Sequence, residues 1–107
     1  MSFNGNEGSV ISLSDGSVLT KRYRDNNPDS GKGVFYGRAH IEAILAQSGC
    51  KGIRMYFATE ADGSQTVVLV GADSNGDDLL NVVIENGTKC PVTCGSTNVL
   101  NNETTAR

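Results

Sequence analysis

The two cysteines near the carboxyl end are the residues whose type and spacing come closest to known chemistry. Cys90 and Cys94 are separated by three residues, one more than in a redox CxxC motif or in the usual zinc knuckle. A zinc site would need two further ligands, and Cys50 and His40 supply them only if the tail folds back over the helix that carries them. The alternatives are a Cys90–Cys94 disulfide under oxidising conditions and plain thiols, which pack like small hydrophobic side chains. Zinc held by Cys50, Cys90 and Cys94 is therefore the one cofactor hypothesis.

The acidic loop from Asp73 to Asp78 carries oxygen-bearing side chains at alternate positions, as a calcium loop does. However, Asp78 stands where an EF-hand has glycine, and Ile84 stands where its bidentate glutamate belongs. The same residues are typical of a tight turn in which Asp and Asn side chains accept backbone hydrogen bonds. We therefore predict a turn between strands at this point.

A small basic cluster, made of Lys21, Arg22 and Arg24, surrounds Tyr23 in the first predicted helix. Positions 21 and 24 share one helix face, so an anionic ligand or an acidic protein surface could dock there. Cations near the carboxyl end of a helix are also favoured by the helix dipole alone. We predict a solvated helix end and keep anion binding as the alternative.

No arrangement of residues predicts nucleophilic catalysis. The single histidine, His40, is expected on a helix surface, and no Ser or Cys has a sequence context that suggests activation. The glycine-rich stretches 31–33 and 49–52 are shorter than a phosphate-binding loop. We expect a protein that is not an enzyme, and a small-ligand site near Tyr23 and Tyr36 ranks as the last hypothesis.

Length and composition indicate one small domain with a modest core. The chain has 107 residues, of which 37% are hydrophobic and 6% aromatic, and its net charge is −3. This acidic balance argues against nucleic acid as a partner, because nucleic-acid binding needs a basic surface. The longest apolar run, Val67–Val70, is too short to span a membrane. Residues 1–9 lack the pattern of a signal peptide, so we expect a cytoplasmic protein, and export without such a signal stays open.

A β-hairpin from Gly52 to Asp73 is the strongest structural signal. Two β-rich runs flank Asp62-Gly63, a dipeptide typical of a two-residue turn. Such a turn would place one apolar set on the packed face: Ile53, Met55, Phe57, Val68 and Val70. The opposite face would then expose a second set, which we predict as the surface for a protein partner: Tyr56, Val67 and Leu69.

Two helices are expected before the hairpin. Apolar spacing predicts the first from about Ser12 to Asn26 and the second within Arg38–Gln47, with Gly49 at its carboxyl-terminal cap. A third strand is predicted at 79–85, followed by an irregular tail that contains cysteines. The sequence therefore predicts an α+β fold with both helices on one face of a small antiparallel sheet.

The expected organisation is a disordered leader at 1–11, one α+β domain at 12–101 and a flexible tail at 102–107. In this arrangement the sheet consists of the hairpin 52–73 and the strand 79–85. No internal repeat and no linker divides the chain.

Several short segments follow one another in a specific order over residues 12–101. They are KRYR at 21–24 with Asn27-Pro28, Tyr36-Gly37, ILAQSGCKGIRMYF at 44–57, VLVGAD at 68–73, Asn75-Gly76 and CPVTCGSTNVLN at 90–101. This ordered pattern resembles a group of small, functionally uncharacterised proteins of Bacteroidetes. The resemblance implies a shared fold and supplies no activity.

The sequence thus favours a small non-catalytic protein that self-associates or binds a protein partner through the hairpin sheet. The alternative is a metal-binding or thiol-redox protein that uses Cys90 and Cys94 with Cys50. Neither nucleic acid nor a membrane is expected as a partner.

Overall fold

Two helices and five strands follow one another along residues 2–102, the part of the chain that the computed structural model describes. β2 (Gly52–Thr59), β3 (Gln65–Ala72) and β4 (Asp78–Ile84) form a three-stranded antiparallel sheet with β3 in the centre, and β1 (Gly33–Phe35) and β5 (Thr88–Cys90) form a second sheet of two strands. Among these residues, neither helix is long and apolar enough to cross a membrane. In chain order the elements are α1 (Leu13–Asn26), β1 (Gly33–Phe35), α2 (Arg38–Leu45), β2 (Gly52–Thr59), β3 (Gln65–Ala72), β4 (Asp78–Ile84) and β5 (Thr88–Cys90).

The sheet that the sequence predicts is wrong, although the α+β class agrees with the structure. The prediction has one sheet, made of the hairpin 52–73 and a strand at 79–85, with an irregular tail. The structure has two sheets, and the second contains β1, from the stretch between the two predicted helices, and β5, from the predicted tail. Strands of three residues show no hydrophobic period, so sequence patterns do not reveal them.

The described residues fall into two compact units. One unit comprises residues 2–8 and 34–88, and the other comprises residues 9–33 and 89–102. Helix α1 therefore belongs to a different unit from the three-stranded sheet, which corrects the prediction that both helices pack on that sheet. Met1 of the predicted leader and residues 103–107 of the predicted tail lie outside the described residues.

The turn between β2 and β3 is one residue longer than predicted. Residues 61–63 form the loop, and the Glu60 N–H donates to the Ser64 carbonyl over 2.8 Å. Gly63 takes a φ of 90°, a left-handed conformation that costs glycine little. Asp-Gly here closes a three-residue loop, which is the next most common hairpin connection after two-residue turns.

This longer turn changes which side chains share a face. Phe57 pairs with Val67, whereas a two-residue turn would pair it with Val68. Because side chains alternate along a strand, a shift by one residue moves all of β3 to the opposite face relative to β2. One face of the hairpin carries Ile53, Met55, Phe57, Val67, Leu69 and Gly71. The other face carries Arg54, Tyr56, Ala58, Thr66, Val68, Val70 and Ala72.

The central strand β3 forms most of the core of its unit. Leu69 on one face is 2% exposed, and Val70 on the other face is 3% exposed. Helix α2 contributes Ile44, which is 0% exposed. A Cβ built on Gly71 would lie 2.9 Å from Cys50 Sγ and 3.2 Å from Ile44 Cγ2, so α2 and its following turn pack closely against this glycine.

In the other unit, helix α1 begins at a regular cap. The Ser12 side chain accepts a hydrogen bond from the Asp15 N–H over 2.9 Å, as an amino-terminal cap does. The helix has no buried residue, and Val18 and Leu19 are each more than half exposed. Within this unit, Arg24 of the helix donates a hydrogen bond to the Leu100 carbonyl.

Candidate functional site

Strand β2 lies at an edge of the three-stranded sheet and exposes large apolar side chains. Within residues 2–102, β3 is the only strand that pairs with β2. Phe57 is 94% exposed and Met55 is 61% exposed, and both lie on the face that carries Leu69. An unpaired strand edge presents backbone donors and acceptors to another chain. The combination makes the edge of β2 the best candidate for a functional site.

The predicted partner surface does not form as a single surface. Leu69 is 2% exposed, because β3 is the central strand and α2 packs on the sheet face that carries Leu69 and Gly71. Val67 is half-buried, and Tyr56, which is 47% exposed, lies on the opposite face from both. The longer hairpin loop is the reason for this separation, since it reverses the faces of β3 relative to β2.

A network centred on Asp78 lies on the opposite face of β2. Arg54 Nη1 donates to Asp78 Oδ1 over 2.5 Å, and the Tyr56 hydroxyl donates to Asp78 Oδ2 over 2.5 Å. Arg54 Nη1 also donates to the Gly76 carbonyl over 3.0 Å. The network connects β2 to the start of β4 across the end of the central strand.

These contacts change the proton affinity of all three groups. The hydrogen bond from Tyr56 lowers the pKa of Asp78, partial burial opposes this effect, and Arg54 adds to the lowering. The hydrogen bond to Asp78 raises the pKa of Arg54 and also that of Tyr56. Asp78 is therefore held as a carboxylate, and it neutralises the only formal charge of β2.

The amino-terminal segment packs against this network. The Phe3 ring lies 5.4 Å from the Arg54 guanidinium carbon, within the range of a cation–π contact, and the Phe3 N–H donates to the Ser74 carbonyl over 2.7 Å. Farther along, the Glu7 carboxylate accepts hydrogen bonds from the N–H groups of Asn4 and Gly5, which lowers the pKa of Glu7. A groove of about 310 Å³ lies between this segment and the start of β2, lined by Phe3, Gly5, Glu7, Lys51, Gly52, Ile53, Arg54 and Ala72.

Sequence reasoning missed this network, although part of its signal was present. Alternation places Arg54 and Tyr56 on one face of β2, so a polar partner for them could be expected. The sequence places Asp78 only in the turn, and nothing in a short polar leader indicates that Phe3 packs. The contacts of Phe3 arise from tertiary structure alone.

The three cysteines do not form the predicted metal site. Cys90 and Cys94 form a disulfide, and Cys50 lies in the other compact unit, where its Sγ donates to the Gly52 carbonyl. His40 is exposed on α2. Within the part of the chain that the structure describes, no three His, Cys, Asp or Glu side chains come together as metal ligands.

The predicted basic cluster is divided among different contacts. Lys21 Nζ lies 2.7 Å from Asp25 Oδ2, one helical turn away. Arg24 Nη1 instead donates to the Leu100 carbonyl over 2.7 Å, and Arg22 is exposed. The three cations therefore do not converge on one common position.

The loop at Asp73 is a turn, as predicted. The Asp73 carboxylate oxygen Oδ1 accepts hydrogen bonds from the N–H groups of Asn75 and Asp77, over 2.9 and 3.0 Å. The Gly76 N–H donates to the Asp73 carbonyl over 2.9 Å. These bonds give the acidic side chain a role in backbone geometry.

The two tyrosines of the small-ligand hypothesis lie in separate units. Tyr23 is on α1, whereas Tyr36 precedes α2 and donates its hydroxyl to the Val67 carbonyl over 2.5 Å. The structure thus gives Tyr36 a role in positioning β3.

Known proteins offer no guide to the use of any of these features. The chain matches no model of a protein family, no curated protein and no solved structure. The resemblance to the Bacteroidetes group stays a prediction, and the functional argument depends on the residues of this chain.

Proposed function

We propose that this chain is a non-catalytic interaction protein that self-associates by pairing two β2 strands at their free edges. The observation that carries the proposal is the exposure of Phe57 and Met55, 94% and 61%, on an edge strand. Large apolar side chains that remain exposed in a contiguous patch are typical of a protein interface. β2 carries such side chains beside an edge whose backbone N–H and C=O groups pair with no other strand of residues 2–102.

The backbone of β2 is oriented for strand addition. In an antiparallel pair, alternate residues direct their N–H and C=O groups toward the partner strand. The Glu60 N–H donates to the Ser64 carbonyl, so the backbone groups of Glu60 point toward the strand opposite. Because this orientation alternates along the strand, the N–H and C=O groups of the even-numbered residues of β2 also point toward β3. The N–H and C=O groups of Ile53, Met55 and Phe57 therefore point away from β3. These are the groups that a second strand would bond.

Beyond its start, where Gly52, Ile53 and Arg54 line the groove beside the amino-terminal segment, the edge of β2 has little of the protection that natural proteins usually give to free strands. Lysine, proline and other charged residues commonly block edge-to-edge pairing. β2 contains no proline, and its one charged residue, Arg54, is bonded to Asp78 at 2.5 Å. An approaching strand would meet no unpaired charge from β2 itself.

The strand is also complementary to a second copy of itself. An antiparallel pair with its two-fold axis at Met55 would place Ile53 beside Phe57 of the other copy. An axis at Tyr56 would place Met55 beside Phe57. In either register the apolar side chains meet on one face, and the pairing uses the outward backbone groups of both strands. A second copy therefore fits an uncharged, apolar edge better than a charged partner does.

The test is the oligomeric state of the protein across micromolar concentrations, measured by sedimentation equilibrium. We expect a reversible dimer, and we expect Phe57→Lys to raise its dissociation constant by at least about tenfold, which corresponds to 1.4 kcal/mol. Leu80→Lys is the matched control, because Leu80 is 72% exposed in β4 and does not belong to the β2 edge.

Two results would contradict the proposal. One is a wild-type protein that stays monomeric over the whole concentration range. The other is a dimer that Phe57→Lys and Leu80→Lys weaken equally, which would locate the interface elsewhere. Circular dichroism of each variant establishes that the fold is retained.

A further inference from the structure

We infer that the Cys90–Cys94 disulfide is a reversible redox site whose reduction releases the carboxyl-terminal segment 91–102 from helix α1. Cys90 is the last residue of β5 and is half-buried, whereas Cys94 is exposed. Attack by a thiolate requires access to a sulfur atom. Cys94 is therefore the cysteine that a thiolate in solution attacks, and the inference does not depend on the β2 edge.

The disulfide closes a short loop next to a backbone contact. The bonded cysteines are four residues apart in sequence. The Cys90 carbonyl accepts a hydrogen bond from the Lys32 N–H over 2.7 Å, and the Thr93 N–H donates to the Lys89 carbonyl over 3.0 Å. Cross-linking therefore fixes the course of the chain at the point where it leaves β5.

Beyond this loop, polar contacts attach the segment to α1 and to Lys32, which lies between α1 and β1. Arg24 Nη1 donates to the Leu100 carbonyl over 2.7 Å, and Lys32 Nζ donates to the Asn101 carbonyl over 2.9 Å. The Leu100 side chain reaches α1 at Gly16, where a Cβ would lie 3.4 Å from Leu100 Cδ2.

The hydrogen bonds that Arg24 and Lys32 make to the segment break easily when the backbone of residues 91–102 gains conformational freedom. Helix α1 has no buried residue, so its contact with the segment 91–102 does not include a buried apolar side chain of the helix. Arg24 and Lys32 both bond carbonyl groups of the main chain, and such bonds are lost when the backbone moves. Opening the loop at Cys90 gives the segment conformations that the disulfide forbids, and this entropy favours its release.

The reductant is a dithiol, and the exchange proceeds in two steps. One thiolate of the dithiol attacks Cys94 Sγ, the Cys90–Cys94 bond breaks, and Cys90 leaves as a thiolate that takes up a proton. The second thiol of the same molecule, as its thiolate, then attacks the dithiol sulfur of the mixed disulfide and releases Cys94 as a thiolate, which is also protonated. The protein gains two electrons and two protons, and the dithiol becomes a disulfide.

The experiment compares amide hydrogen exchange in the oxidised protein and in the protein reduced with dithiothreitol. The Asn101 and Asn102 amides report on the segment itself, since each donates a hydrogen bond to the Asn98 carbonyl, and the Lys32 amide, bonded to the Cys90 carbonyl, reports on the point where the segment begins. We expect these amides to exchange at least about tenfold faster after reduction, because removing a loop closure of this size shifts a local equilibrium by roughly 30-fold. The Lys51 amide, bonded to the Ala72 carbonyl in the sheet, should keep its rate.

Matched variants separate the disulfide from thiol chemistry in general. The Cys90→Ser, Cys94→Ser double variant should exchange like the reduced protein with or without dithiothreitol. Cys50→Ser should behave like wild type, because Cys50 is the free cysteine of the described residues. Removal of dithiothreitol followed by addition of oxidised glutathione, which accepts the two electrons of Cys90 and Cys94, should restore slow exchange to the reduced wild-type protein.

Three outcomes would overturn the inference. The first is equal exchange of the segment amides before and after complete reduction. The second is a thiol count of three in protein isolated without reductant and then exposed to air, which would show that the disulfide does not form. The third is a rise in exchange throughout the sheet, including Lys51, which would indicate global unfolding and no local release.

Discussion

Replacing Gly71 with alanine tests the packing of α2 against the central strand. The new Cβ would lie 2.9 Å from Cys50 Sγ, 3.0 Å from Gln47 Nε2 and 3.2 Å from Ile44 Cγ2. The Gln47 amide is the end of a flexible side chain and can move away. Ile44 and Cys50 are fixed by the core and by the turn after α2, so the helix itself must shift.

The expected loss follows from this overlap. Inserting a methyl group into a well-packed core costs about 1–3 kcal/mol in the free energy of unfolding. For a protein of this size, each kcal/mol lowers the melting temperature by roughly 4–8 °C. Gly71→Ala should therefore be clearly less stable than wild type, even though alanine is a better strand residue than glycine.

Gly52→Ala is the matched control in the same sheet. A Cβ on Gly52 meets no atom within 4 Å, and Gly52 has no left-handed φ. Alanine at this position should be neutral or should stabilise by up to about 1 kcal/mol, because it restricts the unfolded chain. The same substitution is therefore expected to lower the stability of the protein at Gly71 and to leave it unchanged or raise it at Gly52.

A second substitution identifies the contact that is responsible. Cys50→Ala removes the sulfur atom that lies nearest to the new Cβ. In a double-mutant cycle, Cys50→Ala should recover at least half of the loss caused by Gly71→Ala, with a coupling energy of about 0.5–3 kcal/mol. Independent, additive effects would show that Cys50 does not restrict this site.

Denaturant unfolding followed by far-ultraviolet circular dichroism is the appropriate assay, since the chain has no tryptophan for fluorescence. The redox state of Cys90 and Cys94 must be the same in every variant. The reasoning is refuted if Gly71→Ala and Gly52→Ala unfold at the same denaturant concentration. Such a result would mean that α2 does not pack on β3 at the distances described.

Two further substitutions test the core and the ionic network. Ile44→Ala should cost about 2–5 kcal/mol in denaturant unfolding, because it leaves a cavity at a fully buried position, whereas Leu45→Ala, at a 48% exposed position, should cost less than about 1 kcal/mol. Asp78→Asn should make the stability of the protein depend less on pH in the acid range. The pKa of Asp78 is lowered in the folded state, so the carboxylate stabilises the fold above its ordinary pKa near 4. This stabilisation is lost as the pH falls through the pKa of the folded state. Tyr56→Phe removes the main hydrogen bond that lowers this pKa, so thermal melts over the same acid range should show an intermediate slope; an unchanged slope in both variants would contradict the role of the network.

The sequence predicts a hairpin with the correct strands but with the wrong pairing of side chains. Asp62-Gly63 is compatible with a two-residue loop and also with a three-residue loop in which Gly63 is left-handed. The two loops differ by one residue, and nothing in the flanking strands selects between them, because both faces carry apolar side chains. The ambiguity in the length of this one loop is therefore enough to predict Val67 and Leu69 on the wrong face of the hairpin.

Other features of the fold depend on contacts between residues far apart in the chain. β1 and β5 are three residues each, and their pairing joins segments separated by about fifty residues. Phe3 packs beside Arg54 although the leader around it is polar. Local propensity describes α1 and α2 well because a helix is stabilised by neighbours in sequence, whereas these pairings exist only in the folded chain.

The corrected register strengthens the argument for the edge of β2. If Val67 and Leu69 had been exposed, the apolar residues of β2 could have formed the inner face of the sheet. The structure buries Leu69 and leaves Phe57, its near neighbour on the same face, 94% exposed. Phe57 therefore contributes little to the core of the unit. Pairing with a second β2 strand would bury this side chain and bond the free backbone beside it at the same time.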